Sequence, residues 1–260
     1  VIKDNLKEAV GAAGGMKGSD QNLPILKNFL LSAEDNIIYI RSTNLEIGIE
    51  FLISGKIIEE GSVTIPISIF HTIINSLQSD RINIETKGSQ TTIKTDNYEA
   101  VIQGLPAEDF PIIPGVEESG GVLEIKGSLL KEALQQVSIA SQFSDLRPEL
   151  YNLLFHFSID ELKLAATDSF RLAEKTLPVN LFSTTFTDSF KILVPLPTIQ
   201  EVIPLLTEDP VKIYKDEHQI LFAGKNWKVI SRLHTGTFPN YEPIIPKDFK
   251  TEAVVNKPEL

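Results

Sequence analysis

Apolar residues recur at helical spacing in two matching places along the chain. Leu6, Ala9, Val10 and Ala13 fall at i, i+3, i+4 and i+7, and so do Leu130, Ala133, Leu134 and Val137. That spacing gives a helix one apolar face. Ser128 is the expected N-cap of the later helix, with Lys131 and Glu132 in its first turn. A further helix is predicted after each of two prolines. Ile69, Phe70, Ile73, Ile74 and Leu77 follow Pro66, and Ile199, Val202, Ile203 and Leu206 follow Pro195. Proline is tolerated at or just before a first helical turn. Short β-branched, partly alternating runs predict strands, among them Asn36–Ile40, Arg81–Glu85 and Val211–Tyr214. Two helices with roughly six to eight strands per half predict an α+β fold, helices on one face of antiparallel sheets.

The halves repeat each other. Lys3–Val10 returns as Gly127–Leu134, Leu23–Leu30 as Arg147–Leu154 and Ser42-Thr43-Asn44 as Ala166-Thr167-Asp168, each 124 residues on. The register then slips by a few residues, as an inserted loop would cause. Ile65-Pro66-Ile67 returns as Val194-Pro195-Leu196, and Phe110-Pro111 as Phe238-Pro239. Val255–Leu260 resembles Ile125–Leu130, so a third copy is expected to start there. The expected units are 1–118, 122–248 and the start of a third at 252–260, with Ser119-Gly120-Gly121 as the first linker.

Composition narrows the function classes. The chain of 260 residues has no cysteine, which excludes disulfide frameworks, thiolate catalysis and cysteine-ligated zinc. Its formal charge of −11 repels bulk nucleic acid, so any nucleic-acid role needs positive charge gathered on one surface. No apolar run reaches the ~18–20 residues of a membrane-spanning helix. Val1–Asn5 lacks the pattern of a signal peptide, and the missing initiator Met predicts that a few residues precede it.

Catalytic constellations are lacking. Gly11–Gly18 is glycine-rich but follows a helix and lacks the Gly-Lys-Ser/Thr ending of a phosphate loop. His71, His156, His218 and His234 make no metal-ligand spacing. Asp168 beside Ser169 would be the nucleophile pair of a hydrolase, but no Gly-x-Ser-x-Gly frames it. No cofactor is expected. Two segments stand out, Ala166–Ala173 with polar residues among apolar ones, and the proline-rich Thr237–Pro246. They read either as a buried polar turn with an inter-domain linker, or as two walls of an apolar groove for a peptide.

Four motifs, Leu23-Pro24-Ile25-Leu26, Gly104–Pro111, Ala166–Ala173 and Phe238-Pro239-Asn240-Tyr241, resemble those of the bacterial DNA sliding clamps, the β subunits of the replicative polymerase. The resemblance runs through the whole chain, in order. It implies tandem repeats of the clamp fold, with three similar domains in one protomer and two protomers closing head to tail around duplex DNA. Helices would line the hole, and the ring would hold a polymerase on its template without catalysis and without reading bases. The implied partners are duplex DNA, the DNA polymerase III alpha subunit, the clamp loader and repair proteins carrying short peptide motifs, and a second copy. The implied compartment is the cytoplasm. A peptide-docking module with no topological DNA role is the alternative.

The resemblance also implies sites. Leu150, Thr167, Ser169, Phe170, Arg171, Leu172, Pro239 and Ile244 would line a peptide pocket, with Leu150, Leu172 and Ile244 as its apolar floor and Arg171 as a polar edge. Phe170 replaces a histidine common in the family and is expected to narrow one subsite. Pro243 replaces an arginine of the rim, a change expected to affect association rate more than core affinity. Lys3, Lys7, Lys17, Lys126 and Lys131 would face DNA, or else are ordinary helix-surface charge. Ile69, Ile73, Leu77 and Ile102 would form half of a ring interface. With only the start of a third unit, the chain is expected to be monomeric or weakly associated.

Overall fold

The structure is a computed structural model that describes residues 1–14, 23–116, 120–144, 146–246 and 248–256. The repeat is built as the pattern predicts. Helix α1 (Lys3–Ala13) buries Leu6, Ala9, Val10 and Ala13, and α3 (Gly127–Ser138) buries the matching Leu130, Ala133, Leu134 and Val137. The second helix of each unit, α2 (Ile67–Ser76) and α4 (Leu196–Val202), starts directly after Pro66 and Pro195. Pro204 ends α4 in a short 3₁₀ turn, Ile203–Leu205, earlier than the apolar spacing suggests. Ser128 does not cap α3. That helix already begins at Gly127, and the Ser128 hydroxyl donates to Glu208.

The first unit contributes strands β1 (Asn28–Glu34), β2 (Ile37–Thr43), β3 (Ile47–Ile53), β4 (Gly61–Pro66), β5 (Asn83–Lys87), β6 (Gln90–Thr95) and β7 (Tyr98–Gln103). The second contributes β8 (Leu123–Lys126), β9 (Asn152–Phe157), β10 (Glu161–Thr167), β11 (Leu172–Pro178), β12 (Phe182–Thr184), β13 (Phe190–Pro195), β14 (Pro210–Lys215), β15 (Gln219–Ala223) and β16 (Trp227–Arg232). Short 3₁₀ turns at Pro24–Lys27 and Pro148–Leu150 lead into β1 and β9, as the repeated Leu/Arg-Pro motif implies.

These strands form three antiparallel sheets. The largest has nine strands in the order β12-β8-β14-β15-β16-β3-β2-β1-β4, and so crosses from one unit to the other. The crossing is β16 against β3, with Trp227 opposite Phe51, Lys228 opposite Glu50, Val229 opposite Ile49 and Ile230 opposite Gly48. Trp227, Phe51, Val229 and Ile49 are all buried there, within one apolar core that runs through both units. The other sheets are β11-β10-β9-β13 in the second unit and β5-β6-β7 in the first. Each ends in a strand that matches one side of the crossing. β11 repeats β3, and β7 repeats β16.

The four ring-interface candidates divide. Leu77 (5% exposed) and Ile102 (3%) are core residues, which corrects the expectation that they form an exposed edge. Strand alternation explains Ile102, which points inward while Val101 points out. Leu77 follows the last turn of α2 and folds back onto the core. Ile69 is half exposed and Ile73 partly buried on α2.

Candidate functional site

The segment Ala166–Ala173 is a tight hairpin between β10 and β11. The Thr167 hydroxyl donates to the Arg171 carbonyl (2.7 Å) and accepts from the Ser169 N–H (3.1 Å). Asp168 Oδ1 accepts from the N–H groups of Phe170 and Arg171, both at 3.0 Å, and Oδ2 accepts from Arg171 Nε at 2.9 Å. Those N–H groups, Arg171 first and then Phe170, hold the Asp168 carboxyl below the usual range. Ser169 adopts φ 77°, a left-handed backbone held in place by these bonds. The polar residues thus serve the turn itself, and it lies at the surface rather than buried.

Two neighbouring segments flank the turn. Arg147 Nη1 donates to Ser169 Oγ (2.9 Å), which brings the turn carrying Leu150 beside it. Beyond β16, residues 234–245 cross the outer face of the β11-β10-β9-β13 sheet as a strap. Tyr241 and Phe238 pack there on Leu154, Ala165, Leu193 and Leu172. The Tyr241 hydroxyl donates to Glu174 on β11 at 2.5 Å. Burial, then this bond to Glu174, pushes the Tyr241 pKa far up, so the phenol remains a donor.

The eight pocket candidates lie on the turn, on the strap and beside them, with different exposures. Leu172 packs with the strap residues Phe238 and Tyr241, Pro239 lies on the strap itself, and Ser169 of the turn is bonded to Arg147. Leu150 and Thr167 are buried, and the Thr167 hydroxyl is taken up by the turn's own hydrogen bonds. Phe170 is 98% exposed, because the turn aims it at solvent, and it narrows nothing. Ile244, 69% exposed, sits on the 3₁₀ turn Glu242–Ile244 just past Tyr241. The sequence reading named Phe238 and Tyr241 within its motif and its proline-rich wall, but not their partners Leu154 on β9 and Glu174 on β11. An open cavity of about 680 Å³ runs along the strap, lined by Leu154, Leu193, Phe238, Pro239 and Tyr241 together with His156, Lys191, Glu217, His234 and Glu242. Burial, then Lys191 and Lys163, lowers the His156 pKa. No group of three or more metal-ligating side chains occurs among the described residues.

The lysines do not form a basic stripe. The four helices carry Lys3, Lys7 and Lys131 against Asp4, Glu8, Glu132 and Glu201. Lys3 Nζ donates to the Leu77 carbonyl (2.5 Å), and Lys131 Nζ to the Leu206 carbonyl (3.2 Å), so each first helix supplies a cation that closes the end of the second. Lys126 pairs with Glu208 at 2.5 Å. Lys7 is exposed on α1 and has no ion pair among the described residues. Lys17 lies outside the described residues, with the rest of 15–22, as do Glu117–Ser119 and Lys257–Leu260. The gathering of positive charge that a nucleic-acid role calls for is thus not on the helices, which are nearly neutral within an acidic chain.

Two repeated α+β units joined edge to edge, with helices on sheets, define a tandem-repeat scaffold. The family model for the N-terminal domain of the DNA polymerase III beta subunit matches residues 1–114, and that for its central domain matches 124–240. The beta sliding clamp of Bacillus subtilis is 29% identical over all of this chain and 71% of its own length. A crystal structure of the Bacillus subtilis sliding clamp superposes with a TM-score of 0.88 at 28% identity, covering 95% of this chain and 67% of that one. A sliding clamp from Pseudomonas aeruginosa bound to griselimycin superposes with a TM-score of 0.86 at 26% identity, covering 95% of this chain and 67% of that one. The chain belongs to the DNA polymerase III beta-subunit family, the bacterial beta sliding clamps.

Proposed function

We propose that the chain supplies two consecutive arcs, 1–118 and 122–248, of a ring that encloses duplex DNA and tethers the replicative polymerase in the cytoplasm, without chemistry of its own. The observation that carries this reading is the β16–β3 crossing. It joins units through sheet edges and leaves matching edges at β7 and β11, so units add in one direction as arcs do. Near-neutral helices suit a surface that must slide, since tight phosphate contacts would hold it in place. Assembled in a closed ring, the protein should remain on circular duplex and leave once the circle is cut. Equal retention on circular and linear DNA would reject topological binding.

The strap and the β10–β11 turn form the reading's docking site for short peptide motifs from polymerases, loaders and repair proteins. Leu172, Pro239, Phe238 and Tyr241 would hold the apolar part, and Arg171 and Arg147 the polar edge. Leu172→Asp places a charge in the apolar cluster and should weaken binding of a short apolar peptide at least ~30-fold, about 2 kcal/mol. Unchanged affinity in a fluorescence titration would remove Leu172 from the site. For the ring contact, Ile69 and Ile73 of α2 with Val101 of β7 replace the buried Leu77 and Ile102 as the surface offered to a second copy.

A further inference from the structure

The repeat carries the docking region of the second unit, position by position, into the first. Leu154 and Phe238 match Leu30 and Phe110, which pack together with Ile25 and Leu26. Leu150 matches Leu26, and Tyr241 matches Ile113, each strap placing this residue three positions past its phenylalanine. The hairpin turn is also the same. The Thr43 hydroxyl donates to the Ile47 carbonyl (2.8 Å) as Thr167 does to that of Arg171 (2.7 Å). The apolar centre is therefore present twice. The two regions differ in two ways. Gly48 stands where the second unit has Leu172, and the polar edge is lost, with Ile47, Leu23 and Leu45 at the places of Arg171, Arg147 and Ser169. In the second unit Arg147 is bonded to Ser169. In the first, Leu23 and Leu45 are 39% and 45% exposed, and Ile112 beside Ile113 is 93% exposed.

Gly48 decides what fills the first unit's site. A Cβ placed there would lie 2.4 Å from Ile113 Cγ2, so Ile113 takes up the volume over β3 that a side chain at this position would need. A group already packed against the backbone leaves no room for a second one. We propose that the first unit carries a second docking site, for a short uncharged apolar peptide segment, and that Ile113 seated on Gly48 is its present occupant and keeps it closed. The chemistry of the incoming segment follows from the lining. Phe110 and Leu30 form an apolar floor, Leu45 and Ile112 are exposed apolar groups at the rim, and no arginine stands where Arg171 and Arg147 do. An apolar side chain in place of Ile113 would remove these groups from water, whereas an acidic one would find no cation at the matched edge. The junction beside the site is made within the chain, by β16 on β3 and by Arg232 on Glu46. The peptide chemistry of this proposal rests on the docking role proposed for the second unit, while the match of residues does not.

The probe is a short acetylated, amidated peptide of leucine, alanine and phenylalanine, and amide hydrogen exchange reads where it binds. In the native chain it should protect amides within 168–173 and leave those within 44–48 unchanged. Ile113→Ala empties the seat on Gly48. It should add protection within 44–48 and tighten binding there at least about tenfold. Ile113→Val removes one methyl group and should act in the same direction by less. An aspartate introduced into the probe should weaken binding at 44–48 more than at 168–173. Cooperative urea unfolding of each variant confirms that it folds. The proposal is overturned if both folded variants gain no protection within 44–48 up to about 1 mM probe, or if the native chain is already protected there as strongly as Ile113→Ala. Absence of protection at 168–173 in every chain would instead reject the docking role of the second unit, and a gain at 44–48 would still support the site in the first.

Discussion

The hairpin turn between β2 and β3 and the one between β10 and β11 are the same device in two settings. Thr43 donates to the Ile47 carbonyl (2.8 Å) and accepts from the Leu45 N–H (3.0 Å), as Thr167 does with Arg171 and Ser169. Leu45 has φ 76° where Ser169 has 77°. The settings then diverge. In the first unit the turn is held by its neighbour: the Arg232 N–H donates to the Glu46 carbonyl, and the Arg232 guanidinium lies 3.7 Å from the Glu46 carboxylate. In the second unit the turn stands at an open edge and displays Phe170 and Arg171. The straps diverge too. Ile113 lies directly on Gly48 in the first unit, whereas Tyr241 packs with Leu172 in the second. One backbone solution thus closes a junction in one place and leaves a groove in another, and the side chains at a few matched positions decide which.

The largest effect is expected where the junction is made. Trp227 is the only tryptophan and is buried against Phe51. Trp227→Ala should cost about 3–5 kcal/mol and turn one urea transition, followed by circular dichroism, into two. A single unshifted transition would mean that the crossing contributes little and that the two edges differ less than their sequences suggest. Next comes the attempt to build the second unit's groove into the first. A Cβ on Gly48 would lie 2.4 Å from Ile113 Cγ2. Gly48→Leu should therefore destabilise by roughly 1–3 kcal/mol through overpacking, and Ile113→Ala in the same chain should recover part of the loss. An additive double variant in urea titrations would show that Ile113 is not what closes this site.

Much of this contrast was legible in sequence, and what was not has a physical cause. The four helices follow from local spacing, so the pattern placed them, and the repeated blocks marked, without naming, the paired 3₁₀ turns and hairpin turns. The crossing of β16 with β3 is a long-range pairing that no local period encodes, and it decides which edges are open. Leu77 and Ile102 were misplaced for a more local reason, since an apolar residue at a helix end or on an edge strand reads alike whether it faces core or partner. For Lys3 and Lys131 the sequence left DNA-facing and ordinary surface charge open, and nothing local revealed that a carbonyl at a helix end lies within reach of each. Asp168 stood out as a polar residue in an apolar stretch and Thr167 as a pocket candidate, and the side chains of both hold the turn. The strap was visible as a proline-rich segment, but its anchor, Tyr241 on Glu174, joins residues from distant parts of the chain.

That anchor gives a smaller effect. Tyr241→Phe removes the donor while keeping the ring in its apolar cluster. It should cost about 1 kcal/mol and lower peptide affinity modestly, because Glu174 remains near solvent. No change in thermal stability or in peptide titration would show that the strap is held by packing alone, as Ile113 holds its counterpart.

The smallest effect is the most specific, because it separates the two turns by one atom type. Asn44 Oδ1 accepts from the N–H groups of Glu46 and Ile47, just as Asp168 Oδ1 accepts from those of Phe170 and Arg171, but only Asp168 can be protonated. Its folded pKa is depressed, so its contribution is fully present above the ordinary carboxylate value of about 4 and is lost as pH falls through the lower folded value. Amide NMR shifts of Phe170 and Arg171 should therefore titrate below about pH 4, while those of Glu46 and Ile47 should not follow the same curve. Asp168→Asn should leave both turns formed and abolish the titration in the second, making it behave as the first does. If the Phe170 and Arg171 amides still titrate in that variant, another group governs the open turn, and the equivalence of the two turns extends to their shape but not to their electrostatics.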